Sequence, residues 1–212
     1  MQAKQQGFTL VELSIVLVVI GLILGLAFKG RDLIDGARVK NAAAAVNKFQ
    51  AAINSYQEKY GSLPGDGCTG TEAAATFTGT TCAAGGARDG LIASGNEGTA
   101  ALRLLTNTNA MTEADTKTIW NGFWVLQTGA NAAQRRVANT TYLMAATTAG
   151  GAPANVDVRY ICALDRQIDD GKADGGIVRS SSNAYGTLAA PQPSIDCFGL
   201  AGNATVAIRL LP

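Results

Sequence analysis

The 212-residue chain contains no histidine. Ser-His and Cys-His nucleophile pairs are therefore excluded, together with metal centres built on imidazole. Charge is scarce as well: Asp, Glu, Lys and Arg make up 16% of the chain and leave a formal net charge of +1. No broad basic surface is available for a polyanion, so no nucleic-acid partner is predicted. A Ser-x-x-Lys motif and a phosphate loop are both missing. The expectation is a protein that is not an enzyme and has no cofactor. Aromatic residues are few, at 6%. Trp120 and Trp124 stand four apart in a mixed pattern that fits core packing better than an exposed ligand platform.

Long apolar runs, by contrast, are concentrated at one place. A polar leader, Met1 to Gly7, meets a stretch from Phe8 to Phe28 in which only Thr9, Glu12 and Ser14 are neither apolar nor glycine. As a helix these residues span about 32 Å, close to the hydrocarbon thickness of a bilayer. Glu12 is the one charge in the stretch. A carboxylate inside hydrocarbon costs roughly 2.5–3.5 kcal/mol on insertion scales, and less near the membrane surface. A compensating group is required, and an amine is the natural one. A secretory signal peptide has a shorter apolar stretch and a small-residue cleavage site after it. Here the run is longer and the best junction precedes it. Lys4 on one side and Lys29 and Arg31 on the other leave the positive-inside rule silent.

The segment Lys4-Gln5-Gln6-Gly7-Phe8-Thr9-Leu10-Val11-Glu12-Leu13 resembles the cleavage and methylation signal of type IV prepilins and pseudopilins. The resemblance is dense over Gly7 to Leu26 and loose beyond the first helix. It implies that a prepilin peptidase cuts between Gly7 and Phe8 and that the new terminal Phe8 is N-methylated. It also implies that Glu12 meets the N-terminal amine of a neighbouring subunit during assembly. Pairing two groups that are each costly alone would fix axial register as well as charge. Many major pilins carry a helix-kinking proline at the position held here by Lys29, and that departure leaves room for a minor pilin or pseudopilin. A leader on the cytoplasmic side is likewise implied by the resemblance.

Beyond the apolar run, Val39, Ala42, Val46, Phe49, Ile53, Tyr56 and Tyr60 recur at spacings of three and four, which predicts one stripe of a helix. Gly61 is the expected C-terminal cap, and Pro64 blocks continuation. A helix over residues 8–60 is about 80 Å long, membrane-spanning over 8–28 and amphipathic thereafter. Gly21 and Gly25 have the small-xxx-small spacing that lets membrane helices approach closely. Residues 61–212 are enough for one head domain with a core of its own. Strands are expected at Phe123–Gln127, Thr141–Ala145, Val156–Ala163, Gly176–Ser180 and Thr205–Leu210. Short helices are expected at Thr99–Leu105 and Ala163–Asp170, the second capped by Gly171. The fold class is thus α+β, a long pilin-like N-terminal helix packed on an antiparallel-sheet head.

Four cysteines, Cys68, Cys82, Cys162 and Cys197, permit three disulfide pairings. Spacing favours Cys68–Cys82 and Cys162–Cys197 without excluding the others. No Cys-x-x-Cys spacing suggests zinc, and disulfides point to the periplasm or the cell exterior. Asp165 to Gly176 holds Asp165, Asp169, Asp170 and Asp174. Oxygen-rich loops can hold calcium, but the spacing is not that of an EF-hand and Arg166 and Lys172 dilute the charge. A solvated helix end with Asp/Gly turns is the preferred reading, and no metal ligand is assigned. Leu63-Pro64-Gly65-Asp66-Gly67 reads as the turn that sends the chain from the helix into the head. Similar sequences follow the helix in one group of prepilin-type proteins.

These features predict a structural subunit of a type IV pilus or a type II secretion-type pseudopilus. The expected partners are a prepilin peptidase, other pilin subunits and the inner membrane, with the head finally in the periplasm or outside the cell. The alternative is a minor or tip pilin, or a membrane-anchored module whose head recognises a surface or DNA.

Overall fold

The computed structural model describes residue 7, residues 9–83 and residues 86–211, without the side chain of Phe28. The expectations placed on the leader residues 1–6 and on Phe8 lie outside the described residues. Helix α1 runs over Leu10–Tyr60. It contributes to two compact units, one ending at Arg38 and one beginning at Val39.

In the second unit α1 supplies the predicted stripe. Val39, Ala42, Val46, Phe49, Ile53 and Tyr56 are all buried, Tyr60 is half-buried, and Ala43 and Ala52 widen the apolar face. The intervening Lys40, Asn47, Asn54 and Glu58 stay exposed, as the 3.6-residue period requires. The helix ends as expected at Gly61, whose φ of +71° suits a residue without Cβ. Its N–H donates to the Gln57 carbonyl at 2.8 Å.

Five strands form a curled antiparallel sheet: β1 Phe123–Gln127, β2 Thr141–Ala146, β3 Asn155–Asp157, β4 Val178–Ser180 and β5 Asn203–Leu211. The order is β1-β2-β5-β3, and β4 also pairs with β5. The C-terminal strand is therefore the common partner of β2, β3 and β4. Alternation divides the side chains between two faces. Trp124 and Leu126 of β1, Leu143 and Ala145 of β2, and Val206 and Ile208 of β5 join the α1 stripe in the main core. Val125, Tyr142, Met144, Ala146 and Ala207 form a smaller cluster on the opposite face. There Tyr142 Oη accepts a hydrogen bond from the Val137 amide at 3.1 Å. Phe49 meets Trp124 edge-on with ring centroids 6.5 Å apart, a favoured geometry for an aromatic pair.

Three further helices complete the head: α2 Gly70–Ala73, α3 Asn96–Asn107 and α4 Val158–Ile168. Helix α3 is longer than the predicted Thr99–Leu105 because Glu97, in its first turn, accepts amides from Gly67 and Ala93. The strand expected over Val156–Ala163 is a correction. Only Asn155–Asp157 is extended, and the chain is helical from Val158. Val156-Asp157-Val158-Arg159-Tyr160 alternates for five residues and so imitates a strand. The buried residues Val158, Ile161, Cys162 and Asp165 instead carry the helical spacing. Asp157 starts that helix by accepting the Arg159 amide at 2.9 Å. Gly171 is not the cap of α4, which ends at Ile168 with Asp169 as its C-cap.

Both disulfides are the pair that spacing favoured. Cys68–Cys82 and Cys162–Cys197 have Cα–Cα separations of 5.0 and 5.5 Å. The first braces the loop after α1, and the second ties α4 to the segment before β5. In the loop after α1, Gly65 has φ +86°, and a Cβ there would lie 2.3 Å from the Glu97 carbonyl oxygen. Asp66, itself buried, gathers the amides of Asp89 and Gly90 at 3.0 and 3.1 Å.

Candidate functional site

The first turn of α1 is organised by Thr9 and Glu12. Thr9 N–H and Oγ1 donate to Glu12 Oε2 at 2.9 and 2.8 Å, and Glu12 N–H donates back to Thr9 Oγ1 at 3.3 Å. This is the reciprocal arrangement of a capping box, written in the sequence as Thr-x-x-Glu. Both bonds made by the carboxylate fall on Oε2, and among the described residues nothing bonds Oε1. Glu12 is thus held at the helix start with Oε2 turned over to its own cap. Two turns of apolar sequence would offer no such partner.

From Leu10 to Leu26 every large apolar side chain is 47–87% exposed, so among the described residues nothing covers this part of α1. The helix is long and apolar enough to cross a membrane. Ser14, its other polar residue, returns its hydroxyl to the Val11 carbonyl at 2.9 Å and so presents no unmet donor to an apolar surrounding. Past the apolar stretch the polar residues return, with an Arg38–Asp35 ion pair at 3.5 Å. Gly7 is described and exposed, while its junction partner Phe8 falls outside the described residues. A cap residue, an acid one turn in and an unpartnered apolar surface are therefore brought together at the N-terminus.

Residues 2–28 match the family described as the prokaryotic N-terminal methylation motif. This is the signal of type IV prepilins and pseudopilins, and it spans Gly7, Phe8 and Glu12. Joined to a long apolar N-terminal helix and a curled antiparallel head, it defines a pilin-like α+β architecture. No curated protein and no solved structure matches the chain.

In the head, Trp124 is buried and Trp120 half-buried, packed edge-on with centroids 5.5 Å apart. Trp124 belongs to the core and Trp120 packs against it, in line with the core packing that their spacing favoured. The acidic loop does fold as a set of turns. Asp169 Oδ2 accepts the Ile177 amide and the Val178 amide, the latter at 3.2 Å, and Asp170 Oδ1 accepts the Lys172 amide at 3.0 Å. Asp165 is not solvated, however. It is fully buried, accepts the Gly171 amide on Oδ1 at 3.0 Å, and has its carboxyl pushed up to about 7 by burial, with repulsion from Asp169 and Asp170 adding to the effect. Carboxylate oxygens of Asp165, Asp169 and Asp170 lie within 4.8 Å of one another, so these are the residues that could hold a cation.

Two further signals stand in the sequence. Thr9-x-x-Glu12 announces the helix start, and the same spacing at Thr69-x-x-Glu72 announces α2. Both were legible as capping boxes.

Proposed function

We propose that the chain is a structural subunit of a type IV pilus or a type II secretion-type pseudopilus, held first in the inner membrane by α1. The observation that carries this reading is a lone carboxylate, Glu12, set at the start of an unpartnered apolar helix inside the methylation motif. A prepilin peptidase removes the leader after Gly7 and methylates Phe8. The helix then leaves the bilayer for a bundle of its own kind, where its exposed apolar side chains find protein instead of lipid. At about 0.8 kcal/mol per CH₂ such packing strongly resists return to water. Glu12 Oε1 receives the N-terminal amine of a neighbour, while Oε2 stays with Thr9. The contact joins one end of a subunit to a different place on the next, and with a rotation that does not close such a heterologous contact generates an open filament.

The test separates processing from assembly. Glu12→Ala is expected to be cleaved like the wild type but to be lost from filaments sheared from cells, as judged by immunoblotting of the sheared fraction. Normal incorporation of the variant would remove the charge-pair mechanism. A minor or tip position is the second reading. The observation favouring it is that α1 runs unbroken through Lys29, where many major pilins place a proline.

A further inference from the structure

We infer that the cavity between α3 and β1 is a binding site for a small aromatic monocarboxylate. It encloses about 200 Å³ and is bounded by α3, β1, the turn between β2 and β3, and the short 3₁₀ segment Glu113–Thr116 with Lys117 after it. Leu102, Phe123 and Trp124 supply its apolar lining. An apolar cavity of about 150 Å³ is enough to hold one benzene ring, so this one takes a ring with a short substituent. A close approach sets one wall. Gly150, in the turn after β2, has φ +68°, and a Cβ there would lie 2.7 Å from Thr99 Oγ1 on α3. Both residues line the cavity.

Charge selects the substituent. Arg103, Lys117 and Glu113 line the same cavity, and none of the three makes an ion pair among the described residues. Two cations against one carboxylate leave a single positive charge in excess, which a monoanion neutralises and a dianion exceeds. A guanidinium matches the planar geometry of a carboxylate in particular. A second observation is independent of charge. Trp124 is only 1% exposed, yet its Nε1–H has no hydrogen-bond partner. Buried indole donors normally find one, and an acceptor lodged in the cavity that Trp124 lines would supply it. With two oxygens, one carboxylate can serve a guanidinium and an indole at once. The adjoining cavity on α1 also reaches Trp124, but its Lys48 and Asp115 already neutralise each other at 2.6 Å. The site is built by the head alone and adds a binding role to the scaffold.

The test uses the full chain in detergent micelles, with phenylacetate as the probe and phenylacetamide as its uncharged isostere. Trp120 and Trp124 are the only tryptophans, so intrinsic fluorescence reports on the site. Saturable binding of phenylacetate is expected with Kd about 10⁻⁴–10⁻³ M, as suits so small a ligand, and the amide should bind at least about tenfold more weakly. The Trp124 indole proton, assigned with Trp120→Phe, should move downfield as it gains an acceptor. Arg103→Gln with Lys117→Gln, both at the rim, should weaken binding at least about tenfold. No saturable signal up to about 10 mM phenylacetate would overturn the assignment. Equal binding of the amide would do the same, as would an unmoved Trp124 proton at saturation or a folded double variant that binds like the wild type.

Discussion

Thr9, Thr69 and Thr112 each give an amide and a hydroxyl to one oxygen of the acid three residues on, Glu12, Glu72 and Asp115 respectively. In the head this chemistry sets a pH dependence. Hydrogen bonds from Thr69 and Ala83 hold Glu72 down to about 2, and Lys48 with Thr112 does the same for Asp115. The ordinary values are 4.5 and 3.8, so the folded chain binds protons less readily than the unfolded one. The stability they supply is complete above the ordinary values and is lost as pH falls through them toward 2. The Tm of the full chain is expected to drop over that interval, and Glu72→Gln should lower Tm at neutral pH and flatten the acid slope. Parallel acid curves for the two proteins would reject the role given to Glu72. A second residue-scale prediction concerns Gly65, where a side chain meets both a left-handed backbone and the Glu97 carbonyl. Gly65→Ala should cost about 1–3 kcal/mol in chemical unfolding of the full chain.

At the scale of elements, the α1 stripe and β1 were legible because each shows one period over its whole length. Seven residues from Val39 to Tyr60 repeat at three and four, and Phe123–Gln127 is bounded by turns on both sides. Residues 156–163 were misread because five alternating residues outweighed a single cap, Asp157, whose effect depends on one hydrogen bond to Arg159. The strand order was not legible at all. β5 pairs with β2, β3 and β4, and such non-local pairing leaves no local mark in the chain. The acid loop was half legible: the turns follow from Asp and Gly, whereas the burial of Asp165 depends on Tyr185, twenty residues on and in no shared motif. Because Phe49 sits at the centre of the α1–sheet contact against Trp124, Phe49→Ala is expected to destabilise the head by about 3–5 kcal/mol in denaturant unfolding. A loss under about 1 kcal/mol would mean that the stripe is peripheral to the core.

For the whole molecule, the chain combines a head closed by its own core and two disulfides with an apolar helix that none of the described residues covers. On the proposed function, membrane and filament are the two surroundings that would satisfy that helix in turn, starting from the methylation motif at residues 2–28. The most direct measurement is the intact mass and N-terminal peptide of the chain after co-expression with a prepilin peptidase that is active on a control substrate. The account predicts a mature protein beginning at N-methylated Phe8. A protein that still begins at Met1 would contradict it and leave α1 as a simple membrane anchor.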